Sequence, residues 1–471
     1  MKQVLFILLI SCLLTTVAWS GEEQGPAGPD FSGIEVLDLE TAQRIALKGN
    51  PGIVAAQARL EQARARVKQA VAAWWPSLDV TATAARTRRS DSGYELANQY
   101  SAFPGQSTDR TYDSSAAGLQ ATWVLFDGFF RSFRQEQMEF GEKSSAAARR
   151  DSQRLLVSAV AEAFFNAQLA QTNVKIAEAD KKFYTKQLLD ANNRFEVGTG
   201  SWGDVLNIKV QLNSARTSSM FGKREYEAAG YGLAALLGAS DSIFPNTVRL
   251  AELDKDFNPS GEGDDGAQTL IDEALAARPD LRRMAMQVNE AEAATGQAKA
   301  AFWPKVQLGG TVNGAQQGDF VVTGDDFGNA VSLNAAWNLF SGGADKARLF
   351  EARQKKREIS YSLADLRNKV ASEVRQDIAL LAAAREQVRL QRESVDLVEE
   401  NRQLAESEYE AGSASLVRLN EAQRDLTTTY GRLAQSLVSY HLARQRLLAA
   451  TGRNLAPFAG EISEAPLNAT E

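Results

Sequence analysis

Apolar residues along this chain recur with two different periods. Leu363, Leu366, Val370, Val374, Ile378, Leu381, Val388, Val395 and Val398 follow a three-four spacing and its multiples, the stripe of a coiled-coil helix. They lie within Ala344–Tyr409, 66 residues with neither Pro nor Gly. At about 1.5 Å per residue, one helix there spans about 100 Å. Phe130–Phe195 is its counterpart. Gly-marked turns then predict return helices over Asp204–Leu237 and Leu416–Ala450. Helices this long span distance rather than wrap a compact core.

The second period is two. Leu78, Val80, Ala82 and Ala84 alternate with polar residues, as do Leu119, Ala121, Trp123 and Leu125. The same holds for Val306, Leu308, Gly310 and Val312, and for Val331, Leu333, Ala335, Trp337 and Leu339. Alternation over about ten residues with an aromatic near one end is the form of a membrane-barrel strand. Between the strands, Arg86–Ser115 and Asn313–Asn329 are rich in Gly, Ser, Asp and Asn and predict exposed loops. Before each hairpin a helix is predicted, over Leu39–Trp74 and Thr269–Trp303. Each ends at Trp-Pro, where proline pushes the preceding residue into extended geometry. Trp75-Pro76 and Trp303-Pro304 therefore mark where helices enter a barrel, and tryptophan favours that interfacial depth.

These elements occur twice in one order. Trp123–Gly128 matches Trp337–Gly342 at an offset of 214, as Arg194–Gly198 matches Glu408–Gly412. Pro51 and Pro76 match Pro279 and Pro304 at an offset of 228. The chain is a tandem duplication, divided as 1–20 leader, 21–240 first repeat, 241–265 linker, 266–455 second repeat and 456–471 tail.

Composition narrows the chemistry. With 52 Lys+Arg against 59 Asp+Glu, the net charge of -7 gives no footprint for nucleic acid. One Cys, Cys12, and one His, His441, remove disulfides, Cys- or His-rich metal sites and Cys–His nucleophiles. No cofactor site or catalytic constellation is expected. Lys2, the apolar run Val4–Leu14 and Ala18-Trp19-Ser20 form a secretory signal. Leu9-Ile10-Ser11-Cys12 also permits a lipidation reading, against which Leu13-Leu14 continue the apolar run. No later segment approaches 18 consecutive apolar residues, so any membrane-embedded part is built from strands. Export without cysteines fits the outer membrane and periplasm of a Gram-negative bacterium.

Four strands cannot close a barrel, and open edges are not tolerated in lipid. Several chains must share one barrel, continued by a long helical bundle.

The duplicated helix–Trp-Pro–hairpin–long-helix unit and the turns Phe195-Glu196-Val197-Gly198-Thr199 and Tyr409-Glu410-Ala411-Gly412-Ser413 resemble the TolC-like outer membrane efflux proteins. The resemblance implies a mainly α protein with a β-barrel part: a homotrimer with a shared 12-stranded barrel and a helical tunnel across the periplasm. It implies passive export through a tripartite efflux or type I secretion system, with a periplasmic adaptor (membrane fusion) protein and an RND, ABC or MFS inner-membrane pump as partners. Val197, Gly198, Thr199, Ala411, Gly412 and Ser413 become adaptor-docking tips. At the closed tip it implies a hydrogen bond from Tyr409 to Asp204, and an aperture lined by Arg418 and Glu421, which should be nearly charge-balanced. A second family link is missing, because its positions are Ala414 and Gly203. The alternative is a periplasmic coiled-coil adaptor or scaffold, which needs no strands. Gly198–Gly203 matches the dinucleotide pattern G-x-G-x-x-G, but a helix rather than a strand precedes it. His441 has no second His beside it and is expected to be solvated or packed rather than a ligand, while Asn468-Ala469-Thr470 is a glycosylation-like word in the tail.

Overall fold

A computed structural model describes residues 31, 33–100, 109–244, 248–257, 259, 266–317 and 322–460. The leader with Cys12, residues 245–247, 258 and 260–265 of the linker, and residues 461–471 with Asn468 lie outside the described residues.

Each repeat opens with two helices rather than the single one expected. In the first, α1 (Leu39–Gly49) is followed by α2 (Pro51–Ala72). In the second they are α6 (Ala267–Ala277) and α7 (Pro279–Ala300). The residues before the prolines, Asn50 and Arg278, have ψ of 122° and 126°, because the ring excludes α geometry there. Proline then starts the next helix, where its missing N–H costs nothing. Both junction residues perform one task. Asn50 donates to the Leu236 carbonyl at 2.8 Å and Arg278 to the Ala450 carbonyl at 3.2 Å, satisfying the end of each return helix.

The strands are β2 (Ser77–Arg88), β3 (Thr111–Phe126), β5 (Lys305–Gln317) and β6 (Phe327–Ala336). They form one antiparallel sheet in the order β2-β3-β5-β6. A parallel pair, β1 (Val36–Leu37) with β4 (Arg249–Leu250), stands apart. Two loop expectations need correction. Asp91–Tyr100 is a helix, α3, and β3 begins at Thr111 inside the segment read as loop. Small residues such as Ser114, Ser115, Ala116 and Ala117 pair normally in the ladder while carrying no apolar alternation. Likewise β5 runs on to Gln317 and β6 starts at Phe327. One strand is shorter than expected. β3 continues through Trp123 to Phe126 because β5 pairs with it there. The equivalent Trp337–Phe340 lie outside β6, whose free edge has no partner within the protomer.

The long helices are α4 (Phe130–Glu196) and α8 (Ala344–Glu410), 67 residues each. They return as α5 (Trp202–Leu237) and α9 (Leu416–Ala450). Of the predicted stripe, Val370, Val374, Leu381, Val388 and Val395 are buried in the main core with Val160, Phe164, Leu233, Leu237, Leu437 and Tyr440. That core lies midway along the helices, between the sheet at one end and the turns at the other. Two smaller clusters sit at the turns, around Val205–Ile208 and Ala405–Leu419.

Candidate functional site at the hairpin tips and the sheet junction

The two turns are built alike. Gly198 has φ +81° and Gly412 φ +78°, a region that only glycine enters freely. After each glycine, two backbone N–H groups converge on one helix-terminal carbonyl. Thr199 and Gly200 donate to Arg194 at 2.8 and 2.9 Å, and Ser413 and Ala414 to Glu408 at 2.9 and 3.1 Å. The Thr199 and Ser413 hydroxyls donate to the same acceptors. Ser201 and Ser415 then cap the return helices. The glycines of Gly198–Gly203 thus serve a helix-to-helix turn, with no strand before it. Val197 is 74% exposed, leaving an apolar knob at the tip.

Tyr409 lies between the hairpins, packed against both small clusters. The Arg194 guanidinium covers its ring, 4.8 Å from the centroid. Burial raises the Tyr409 hydroxyl pKa; Arg194 opposes this, and the Asp204 and Asp190 carboxylates add to it. Asp204 is therefore near, in the first turn of α5. Among the described residues, however, the tyrosine makes no hydrogen bond to it. A second contact of the same kind lies above: Arg402 stacks on Phe183 at 5.1 Å and pairs with Glu406 at 3.0 Å. Each hairpin supplies one arginine and one aromatic ring, and partly desolvated pairs of this type contribute about 0.5–2 kcal/mol. Arg418 donates to Asn401 at 3.2 Å. Glu421 is exposed and forms no ion pair with Arg418 among the described residues.

At the sheet end, Trp75 is 75% and Trp303 56% exposed. The hairpin tryptophans secure both junctions: Trp123 Nε1 donates to the Trp74 carbonyl at 3.0 Å, and Trp337 Nε1 to that of Phe302 at 3.2 Å. Arg131 backs the first junction, buried and paired with Asp127 at 2.8 Å, with its guanidinium over Trp74. Gly128, at φ +68°, is pressed against the second repeat. A Cβ there would stand 2.6 Å from Trp303 Cβ and 2.7 Å from the Ala300 carbonyl. Arg194, Phe183, Arg402 and Arg131 are not marked in the sequence, since nothing local signals a cation–ring contact between residues far apart in the chain. Gly128 is marked in the sequence, as the last residue of the repeated Trp123–Gly128 segment.

His441 is packed, stacked on Phe165 at 4.8 Å and tilted against Phe257 at 4.7 Å. No group of metal-ligating residues occurs among the described residues, and no helix there is long and apolar enough to cross a membrane.

The family described as outer membrane efflux protein matches residues 43–239 and 270–453. The chain is 26% identical over 342 residues to the alkaline protease secretion protein AprF of Pseudomonas aeruginosa, covering 72% of this chain and 70% of that one. It is 26% identical over 458 residues to the probable efflux pump outer membrane protein TtgC of Pseudomonas putida, covering 91% and 89%. Its fold is similar to the Campylobacter jejuni CmeC outer membrane channel, with TM-score 0.75 and 18% identity over 90% of this chain and 89% of the other.

Proposed function

The chain belongs to the outer membrane efflux protein family, and from that premise we propose that it is the outer-membrane exit duct of a tripartite efflux or type I secretion system. The family is one of transport channels, not of enzymes. A periplasmic adaptor or scaffold, the alternative reading, finds no support among the relatives and leaves the four-stranded sheet without a purpose.

The observation that carries the proposal is the sheet with two free edges. Every residue of β6 is exposed, and β2 is exposed along nearly its whole length. Unpaired edges are not tolerated in hydrocarbon. The repeat offers the closure. Within the protomer, Gly118 of β3 pairs with Asn313 of β5. Applying the same relation to the other edge pairs Ser332 of β6 with Ala85 of the next protomer's β2. It also gives Trp337–Phe340 the partner they lack. Three protomers then close 12 strands. A size exchange supports this arrangement. Gly296 on α7 lies against the Phe133 ring of α4, and the equivalent positions are Lys68 and Ala347, so a large residue meets a small one at either contact.

In this assembly the repeats, residues 21–240 and 266–455, each contribute a hairpin of strands and a hairpin of helices. Trp75-Pro76 and Trp303-Pro304 lie at the periplasmic membrane interface. The tips around Val197–Thr199 and Ala411–Ser413 meet a periplasmic adaptor, which links the duct to an inner-membrane pump. Asp204, Tyr409, Arg418 and Glu421 surround the periplasmic aperture. A passive duct takes its cargo from the pump; AprF is named for protease secretion and TtgC for efflux, and this chain's conduit suits either class.

The test is a cysteine pair. Ser332→Cys with Ala85→Cys should give disulfide-linked trimers under oxidation, and neither single variant should. Failure of that pair to link protomers, with the channel folded, sinks the closure.

A further inference from the structure

We infer that the outward face of β2 carries a binding site for the phosphate of an outer-leaflet glycolipid, formed by Arg86 and Arg88. The inference rests on the barrel reading above, which sets one sheet face against lipid.

Along β2 the outward residues are Leu78, Val80, Ala82 and Ala84, followed directly by Arg86 and Arg88. Their alternates Asp79, Thr81 and Thr83 face the lumen. At about 3.3 Å per residue and a tilt of about 40°, Arg86 stands about 20 Å above Leu78 and Arg88 about 25 Å above it. The apolar band of such barrels is about 25 Å tall. Both guanidinium groups therefore reach the headgroup level at the end away from the helices, which is the outer leaflet.

The two arginines are not equivalent. Arg86 is held by Asp113, the residue opposite it on β3, through hydrogen bonds of 2.6 and 2.8 Å to the two carboxylate oxygens. That pair fixes its orientation while its side chain stays 67% exposed. Arg88 is exposed and forms no ion pair among the described residues. Spaced two apart on one face, their Cβ atoms lie about 7 Å from each other, a span that one phosphate can bridge with charge-assisted hydrogen bonds. The neighbouring cations are otherwise engaged: Arg89 stacks on Tyr112 at 4.9 Å, and Arg110 pairs with Asp91.

The charge is specific to one strand in two. The equivalent positions on β5 are Gly314 and Gln316, so no general basic rim is present. Across the proposed seam, the β6 residues beside Arg86 and Arg88 are Val331 and Asn329, neither of which supplies a carboxylate. The duct therefore offers three separate phosphate sites, one at each seam between protomers.

Native mass spectrometry of the delipidated full-length trimer would count bound lipid. The probes are bis-phosphorylated lipid A, the same lipid dephosphorylated, and inorganic phosphate as competitor. Up to three lipid A molecules should bind per trimer, and the dephosphorylated lipid should bind at least tenfold more weakly. Arg88→Gln should weaken retention about tenfold, while Arg88→Lys, which keeps the charge, should lose much less. The paired change Arg86→Gln with Asp113→Asn removes the fixed arginine without leaving a lone carboxylate, and should also weaken binding. Equal binding of both lipids, unchanged binding by Arg88→Gln, or displacement by millimolar phosphate as effective as by lipid A would overturn the site. The same spectra report the trimer mass: an intact trimer without lipid preference refutes the phosphate site alone, whereas an absent trimer refutes the barrel beneath it and the site with it.

Discussion

Gly342 tests the shared barrel at a single atom. Its repeat equivalent, Gly128, has the same backbone, with φ +68° against +64°. Around Gly128 an added Cβ collides with Trp303, whereas around Gly342 nothing lies within 4 Å. The equivalent of Trp303 is Trp75, so in a repeat-symmetric trimer Gly342 faces Trp75 of the next protomer. Alanine at a left-handed position costs roughly 1–2 kcal/mol, and overpacking adds about 1–3 kcal/mol. Gly128→Ala should thus destabilise the protomer by about 2–5 kcal/mol. Gly342→Ala should cost the protomer only the backbone part, but should weaken each of the three seams by the overpacking part, about 3–9 kcal/mol per trimer. Gly412→Ala, at φ +78° with open space around it, supplies the backbone cost alone. Mass photometry through a denaturing-detergent series reads trimer dissociation directly. Gly342→Ala should dissociate well before wild type, and Gly412→Ala close to it. Coincident curves for Gly342→Ala and Gly412→Ala would refute the seam geometry.

Arg194→Ala and Tyr409→Ala should each raise single-channel conductance in planar bilayers by loosening the contact between hairpins. Tyr409→Phe keeps the ring under Arg194 and should behave like wild type; an increase with Tyr409→Phe matching that of Tyr409→Ala would return the role to the hydroxyl and Asp204. Asp377, buried near Glu373, has its pKa raised to about 6, with Arg446 and Arg278 opposing the shift. A carboxyl raised in the folded state is destabilising when ionised, so its cost is present above pH 6 and disappears as pH falls toward the unfolded value. Asp377→Asn should therefore stabilise the protein by about 1–3 kcal/mol at pH 7.5 and by much less at pH 4.5, as read by thermal melts at both values.

Local periodicity was enough for the elements whose surroundings are uniform along their length. The stripe from Leu363 to Val395 faces one core, so its spacing shows in the chain, and the return helix Leu416–Ala450 has the bounds that the sequence predicted. The glycines at 198 and 412 were legible because only that residue turns two helices back with positive φ. The repeat was legible in the prolines, which long helices exclude. What escaped depends on partners far away in the chain. In the sequence Pro51 reads as part of one helix; in the fold Asn50 caps α2 and holds the Leu236 carbonyl, so the helix is divided there. Residues 111–115 read as loop in the sequence because a strand of small residues is specified by the ladder on either side of it, not by alternation. β6 stops at Ala336, short of the predicted alternation, because Trp337–Phe340 have no neighbouring strand within the protomer.

The candidate site divides in the same way. Tip and junction residues follow from turn chemistry and from the Trp-Pro words, which are local. The choice of Arg194 rather than Asp204 as the partner of Tyr409 is a matter of tertiary packing. Both groups lie near the phenol, and the closeness of α4 to the end of α8 places the guanidinium on the ring. Sequence alone therefore determined the parts and their order, since helix, strand and turn preferences act over a few residues. Tertiary structure decided which parts touch, since contact energies depend on distances that close only when the chain has folded.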